Sequence, residues 1–206
     1  MLSIGIIGAG NVGGALAQQW IKAGHSVLIG IQYPASEKSR LLMDKIGHQY
    51  FTSIEKATQE SEVLLIAIPP TAIAEILTKM GDLTGKIIID ATNSLTPVSE
   101  KSPATVFQLL EEKTGAAIVK CFNSTGYENM LNPLYNGERI DMFMAGSNEQ
   151  AKGTARQLAL DAGFGSCIDF GKSDKVDLLE KLAASWINLA IIQGHGRHIA
   201  FKLLRR

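Results

Sequence analysis

A chain of 206 residues, 46% of them hydrophobic, is long enough to bury one sizeable core, and its length favours one domain with a small appendage. Lys plus Arg number 20 and Asp plus Glu number 20, and this neutral balance excludes the broad positive field that nonspecific nucleic-acid binding needs. The two cysteines, Cys121 and Cys167, are too few for a disulfide framework and suit a reducing, cytoplasmic setting, while no apolar run reaches the roughly 18 residues of a membrane span. Neither nucleic acid nor membrane is therefore an expected partner.

The first predicted strand, residues 2–7, leaves no room for a signal peptide. Further strands are expected at 26–31, 63–68, 87–91, 116–121, 140–145 and 166–170, with a short extra one at 48–51. Runs such as VLLIAI are apolar on both faces, the pattern of parallel strands covered by helices on both sides. Between them, Val12, Ala15, Leu16, Trp20 and Ala23 recur at helical spacing over 11–23, with Gly24 as the stop; 71–80 and 148–162 read similarly, the latter closed by Gly163. The stretch 97–103, with Ser99 and Ser102, is the expected exposed loop. From Lys175 the pattern changes: Val176, Leu179, Leu182, Ala183, Trp186, Leu189, Ala190 and Gln193 mark a long helix without a following strand, and 197–204 a second one. The expectation is an α/β, doubly wound, mostly parallel sheet over 1–174, with a C-terminal helical segment over 175–206 that serves packing or dimerisation.

The most informative motif opens the chain. A strand runs into Gly8-Ala9-Gly10-Asn11-Val12-Gly13, a GxGxxG match, and a helix follows at once. Gly8 permits the tight turn, Gly10 lets the backbone approach a pyrophosphate, and Gly13 lets the helix lie close to the strand. The anion would sit on the helix N-terminus, where free N–H groups point at it. This strand–turn–helix context points to a Rossmann-type dinucleotide site, with a glycine-rich turn for packing only as the alternative reading. An NAD site usually carries Asp or Glu about 20 residues on. Here the second strand ends in Gly30, Ile31, Gln32 and Tyr33, with no carboxylate and no arginine. The absent carboxylate argues for NADP over NAD; Gln32 suits a hydroxyl or a phosphate, and Lys38 and Arg40 are the nearby cations. At later strand ends, Ile68, Pro69 and Pro70 form a stiff turn beside the cofactor, and Asn93 and Asn123 are candidates for ribose or carboxamide, with turn chemistry as the alternative reading.

With these segments in hand, the chain resembles the NADPH-dependent deazaflavin (coenzyme F-420) reductases and their dinucleotide-binding relatives. The matching pieces are GAGNVGGALA, GKIIIDATNSL, VKCFNSTGYENMLNPLY, DMFMAGSNEQAK, and LLEKLAASWINLA through FKLLRR, in order along nearly the whole chain. The resemblance implies hydride transfer between NADP(H) and a second redox cofactor, a deazaflavin or flavin. It places Ala9, Gly10, Asn11 and Val12 at the pyrophosphate, Ile68 to Pro70 against the cofactor, and Asn123 with Ser124 near the nicotinamide. It also implies a homodimer joined by the C-terminal helices. In two places the chain departs from the family: Ile31-Gln32 stand where Ser-Arg usually holds the 2′-phosphate, and Ser94 stands where proline is usual.

Hydride transfer between two bound rings asks position and dryness of the protein rather than an acid or base, so no catalytic side chain is named. His195 and His198 lack further ligands and form no expected metal site; His25 reads as a residue at the C-terminal end of the first helix, and His48 has no evident partner. Cys121 reads as a buried structural thiol and Trp186 as core. Tyr127 and Tyr135 are the candidate proton donors of a second class, a reductase of a small imine, ketone or metal chelate. A third class is a nucleotide-sensing module without chemistry.

Overall fold

The computed structural model describes residues 1–34, 36–94 and 105–206. The expected loop at 97–103 lies outside the described residues. In chain order the elements are β1 (Ser3–Ile7), α1 (Asn11–Lys22), β2 (Ser26–Gly30), α2 (Glu37–Ile46), β3 (Phe51–Thr52), α3 (Ile54–Gln59), β4 (Val63–Ile66), α4 (Ile73–Met80), β5 (Ile87–Asp90) and α5 (Val106–Lys113). There follow β6 (Ala117–Cys121), α6 (Tyr127–Leu131), β7 (Leu134–Tyr135), β8 (Glu138–Arg139), β9 (Asp141–Ala145), α7 (Glu149–Asp161), β10 (Ser166–Asp169) and α8 (Val176–Ile187).

Eight strands form one sheet in the order β10-β9-β6-β5-β4-β1-β2-β3. Every pairing is parallel except β6 with β9, where Cys121 lies opposite Met144. The chain reverses there because β6 leads into short α6 and the β7–β8 hairpin rather than a full crossover helix. The Rossmann-type doubly wound, mostly parallel fold expected from the sequence is thus what the chain adopts. Strand β4 is buried along its whole length, as its VLLI sequence requires.

The sheet carries a core on each face. On one, α1 and α7 pack over Ile4, Ile6, Leu65, Met142 and Met144. Trp20 of α1, fully buried, donates its indole N–H to the Leu158 carbonyl of α7 at 2.9 Å and so fixes the two helices together. On the other face, α3, α4, α5 and α8 cover Leu64, Ile66 and Ile88. Gly24 (φ 85°) and Gly163 (φ 94°) end α1 and α7 at the expected positions.

Three expectations need correction. Residues 48–51 are a 3₁₀ turn, His48–Tyr50, and only Phe51 and Thr52 pair with β2. The long final helix is α8 to Ile187 and then a π-type stretch, Asn188–Ile192. Residues 197–204 are not helical. Gly194 and Gly196 break the chain with positive φ, and tertiary partners then take the backbone groups a helix would use. Trp186 Nε1 donates to the Ile199 carbonyl at 2.7 Å, Asn129 Nδ2 to the same oxygen at 2.8 Å, and Leu203 N–H donates to Asp141 Oδ2 at 2.8 Å.

Candidate functional site

The site lies at the carboxyl ends of the parallel strands, beginning with the glycine loop between β1 and α1. Gly8 has φ 115°, and a Cβ there would stand 2.5 Å from the Ala67 carbonyl oxygen, so only glycine makes this turn. Its N–H donates to the Gly30 carbonyl at 3.1 Å, tying the loop to the end of β2. A Cβ at Gly13 would meet the Gly8 carbonyl oxygen at 2.3 Å, so this glycine sets the close approach of α1 to the loop. Gly10 differs. Its backbone (φ −78°, ψ −173°) suits any residue, and the nearest atom to an added Cβ is 4.0 Å away. Its missing side chain leaves space rather than relieving a clash. Gly10 caps α1 without a side-chain bond, and no acidic residue stands in the first turn, so the helix offers unpaired N–H groups to an anion.

A cavity of about 340 Å³ opens beside this loop. Gly8, Ala9, Gly10, Ile31, Gln32, Ile68 and Pro69 all line it, which brings seven of the predicted site residues together. Its apolar walls include Ile54, Ala72 and Ile76, and its rim carries Tyr33, Ser36, Lys38 and Ser39. The sequence reading missed Ser36 and Ser39, although the cap signal was there: Ser36 Oγ accepts the Ser39 N–H at 3.3 Å at the start of α2. Asn11 lines an adjoining cavity of about 210 Å³ with Gly10, Lys38, Lys45 and Tyr127. Val12 packs against the core beneath the loop, and Pro70 starts the 3₁₀ turn leading into α4. Gln32 is already engaged: its amide donates to Glu75 Oε1 at 2.5 Å and to the Tyr33 hydroxyl at 3.1 Å. Lys79 and then Gln32 hold Glu75 below the usual carboxylate range, so it stays ionised.

Farther along the edge, a buried ionic network fixes the segment after β5. Lys120 of β6 is fully buried. Its Nζ lies 2.9 Å from Asp90 Oδ2, 2.6 Å from Glu180 Oε1 and 2.7 Å from the Thr92 carbonyl oxygen. Asp90 Oδ1 accepts from both the N–H and the hydroxyl of Thr92. Glu180 Oε2 accepts the Ser94 N–H at 3.1 Å. A proline at position 94 would have no N–H to give, so this departure from the family pattern adds a bond between the segment and α8. Asn93 sits within this segment, half-buried, with Oδ1 unbonded.

After β6 the chain turns through Phe122, a non-glycine residue with φ 62°. Such a conformation costs about 1–3 kcal/mol and persists only where packing holds it. Here the ring is fully buried, edge-on to Trp20 at 5.7 Å. The turn leads directly to Asn123, which is 3% exposed, with neither amide atom hydrogen-bonded. A buried amide without partners costs about 1–3 kcal/mol. Ser124, also buried, donates to Met142 Sδ at 3.6 Å.

The remaining candidates fall elsewhere. Cys121 is fully buried 3.9 Å from Cys167, and burial pushes its thiol well above the ordinary range, so it has no nucleophilic character. Tyr135 donates its hydroxyl to Asn129 Oδ1 at 2.5 Å and sits apart from the glycine loop. Tyr127 lines the second cavity, and the Arg197 guanidinium lies 5.5 Å from its ring and 5.6 Å from that of Trp186. His25 pairs with Asp161 at 3.1 Å, whereas His195 and His198 are exposed. Among the described residues no group of three or more His, Cys, Asp or Glu gathers around a common point, and no helix is long and apolar enough to cross a membrane.

Residues 3–94, which span β1 to β5 and the glycine loop, match the model of the family described as NADP oxidoreductase, coenzyme F420-dependent. Over these residues the match agrees with the family resemblance read from the sequence. Mouse metalloreductase STEAP2 is 25% identical over 184 residues, which cover 88% of this chain and 36% of that protein. The chain thus spans little more than a third of that relative's length. Among solved structures, a protein of Arthrobacter sp. FB24, provisionally described as an F420-dependent NADP reductase, superposes with a TM-score of 0.85 over the whole of both chains at 22% identity. A reductive aminase of Aspergillus terreus, solved with NADPH and ethyl-5-oxohexanoate, superposes with a TM-score of 0.67 at 20% identity, covering 94% of this chain and 63% of that one. These two likenesses show the shared fold.

Proposed function

We propose that this chain binds NADP(H) along the carboxyl edge of its sheet and passes a hydride between the nicotinamide and a second, planar redox cofactor, a deazaflavin or flavin. The observation that carries the reading is the glycine loop: Gly10 leaves open space at the mouth of the 340 Å³ cavity, beside the unpaired N–H groups of α1. The fit is supported at the other end by the unpartnered amide of Asn123.

The nicotinamide supplies the hydride chemistry when bound. The protein's part is binding and orientation. Ala9 to Val12 receive the pyrophosphate on backbone N–H groups, and Gly8 makes the turn that presents them. Ile54, Ile68, Pro69, Ala72 and Ile76 give the apolar slot for the adenosine half, with Ile31 and Gln32 on the ribose side. Asn123 offers a donor and an acceptor to the nicotinamide carboxamide, Ser124 stands beside it, and Asn93 takes a ribose hydroxyl. The Lys120 network holds the Asn93 segment still. The family resemblance further supports a homodimer joined through 175–206, and the two cysteines suit a cytoplasmic location.

Replacing Asn123 with leucine is expected to separate binding from stability. Because neither amide atom is bonded within the protein, Tm should stay level or rise, while NADPH affinity falls about tenfold, or about 1.4 kcal/mol. Thermal melts and fluorescence titration on the same preparation check this; a lower Tm with unchanged affinity would assign Asn123 to the fold alone. For the ribose side, Gln32→Arg should shift preference toward NADPH, more so when combined with Glu75→Gln, since Glu75 would otherwise hold the new guanidinium. A constant ratio of NADPH to NADH affinity would remove Gln32 from the ribose.

The metalloreductase relative favours a second reading, in which a metal chelate is reduced. Oxidation of NADPH with a flavin, a deazaflavin or a ferric chelate as acceptor separates the two, and tight binding without turnover on any acceptor would support a sensing module.

A further inference from the structure

Beyond Gly196 the C-terminal tail returns to α6, and three successive residues of that helix take hold of it. The Arg197 guanidinium lies 5.5 Å from the Tyr127 ring, and its Nε donates to Glu128 Oε1 at 2.5 Å. Asn129, 1% exposed, donates through Nδ2 to the Ile199 carbonyl at 2.8 Å and to the Arg197 carbonyl at 3.3 Å. The same amide joins two further segments. Its Nδ2 donates to Thr125 Oγ1 at 2.7 Å, and its Oδ1 accepts the Tyr135 hydroxyl of β7 at 2.5 Å. Burial, and after it the Glu128 carboxylate, pushes the Tyr135 hydroxyl above its ordinary range, so it keeps the proton it donates.

Thr125 belongs to the turn that carries Asn123. That turn is costly, with Phe122 at φ 62° and the Asn123 amide unpartnered, and such a conformation persists only where its surroundings hold it. The Phe122 ring anchors the start of the turn against Trp20. Its end runs into α6, whose five residues are too few to form a stable helix alone. Asn129 and the tail supply the missing support.

We infer that Asn129 is a positioning residue, which ties the C-terminal tail to the Asn123 turn and thereby sets how tightly the nicotinamide half of the cofactor is held. On the dinucleotide reading of the glycine loop, on which this rests, Asn123 touches the cofactor and Asn129 acts through it. The adenosine half binds at Gly10 and the cavity beside it, away from this link.

The test is calorimetric titration with NADPH and with 2′,5′-ADP, which lacks the nicotinamide half. Asn129→Ala removes the link at its centre. Arg197→Ala loosens the tail and leaves Asn129 in place; the Arg197 side chain is 42% exposed, so this variant folds even where Asn129→Ala does not. Each should lose about tenfold in affinity for NADPH while staying within about twofold of wild type for 2′,5′-ADP. In an Asn123→Leu background, Asn129→Ala should cost no further NADPH affinity, because the group it positions is gone. Equal weakening of both ligands would assign Asn129 to the fold alone and overturn the positioning role. Unchanged NADPH affinity in Arg197→Ala, or a full further loss in the double variant, would overturn it as well. All three results leave the dinucleotide reading standing. A wild-type protein that binds neither ligand would overturn both.

Discussion

Replacing Gly10 with valine should reduce NADPH affinity at least about a hundredfold, or about 2.7 kcal/mol, while the protein still folds. The backbone there is extended, a conformation valine favours, and an added Cβ has no protein atom nearer than 4.0 Å. The valine methyls would instead fill the cavity mouth where the pyrophosphate must come against the N–H groups of α1. Loss of the N-terminal cap position costs the fold at most about 1 kcal/mol. Gly13→Ala provides the contrast, because its Cβ would press on the Gly8 carbonyl oxygen at 2.3 Å and distort the loop itself. Thermal melts alongside fluorescence titration distinguish the cases. Unchanged NADPH affinity in Gly10→Val would remove the loop from the cofactor site.

The second large effect concerns Lys120. Its ammonium is buried between Asp90 and Glu180, and its methylene stem runs through the core face that α8 covers. Lys120→Met keeps the stem but leaves two carboxylates facing each other without a counter-charge. Breaking a buried ionic group in this way costs about 3–5 kcal/mol. For a domain of this size that is a fall in Tm on the order of 10 °C. Adding Asp90→Asn and Glu180→Gln should restore part of the loss, because the uncompensated charge is then gone. A Tm within about 2 °C of wild type in Lys120→Met would mean that solvent reaches these groups. Because the same network holds the Asn93 segment, NADPH affinity should also fall in the single variant and recover in the triple one.

The parts of the fold written in short-range pattern were legible in the sequence. Strand β4 reads as VLLI because both its faces are covered, and α1 shows its inward stripe in Ala15, Leu16 and Trp20. The glycine loop was legible because Gly8 and Gly13 answer local demands of the turn and of the helix contact, while Gly10 leaves open space beside the start of α1. Helix α2 was not, since its inward face is short: Ser39 is its one buried side chain, with the half-buried Leu42 and Ile46 beside it. The direction of β9 could not be read either, because an apolar strand carries no sign of which way its neighbour runs. Residues 197–204 have a helical pattern, yet Trp186 and Asn129 claim the Ile199 carbonyl from distant points of the chain. The site followed the same division. Gly8, Gly10, Gln32 and Ile68 were found from strand ends, whereas Ser36 and Ser39 reach the cavity only because α2 folds back over it.

Titration of the purified wild-type protein with NADPH, and in parallel with NADH, followed by nicotinamide fluorescence, tests the central claim most directly. Saturable binding of NADPH, tighter than that of NADH and lost in Gly10→Val, is the predicted result. No saturable binding of either cofactor would contradict the account, and the glycine loop would then be a packing turn.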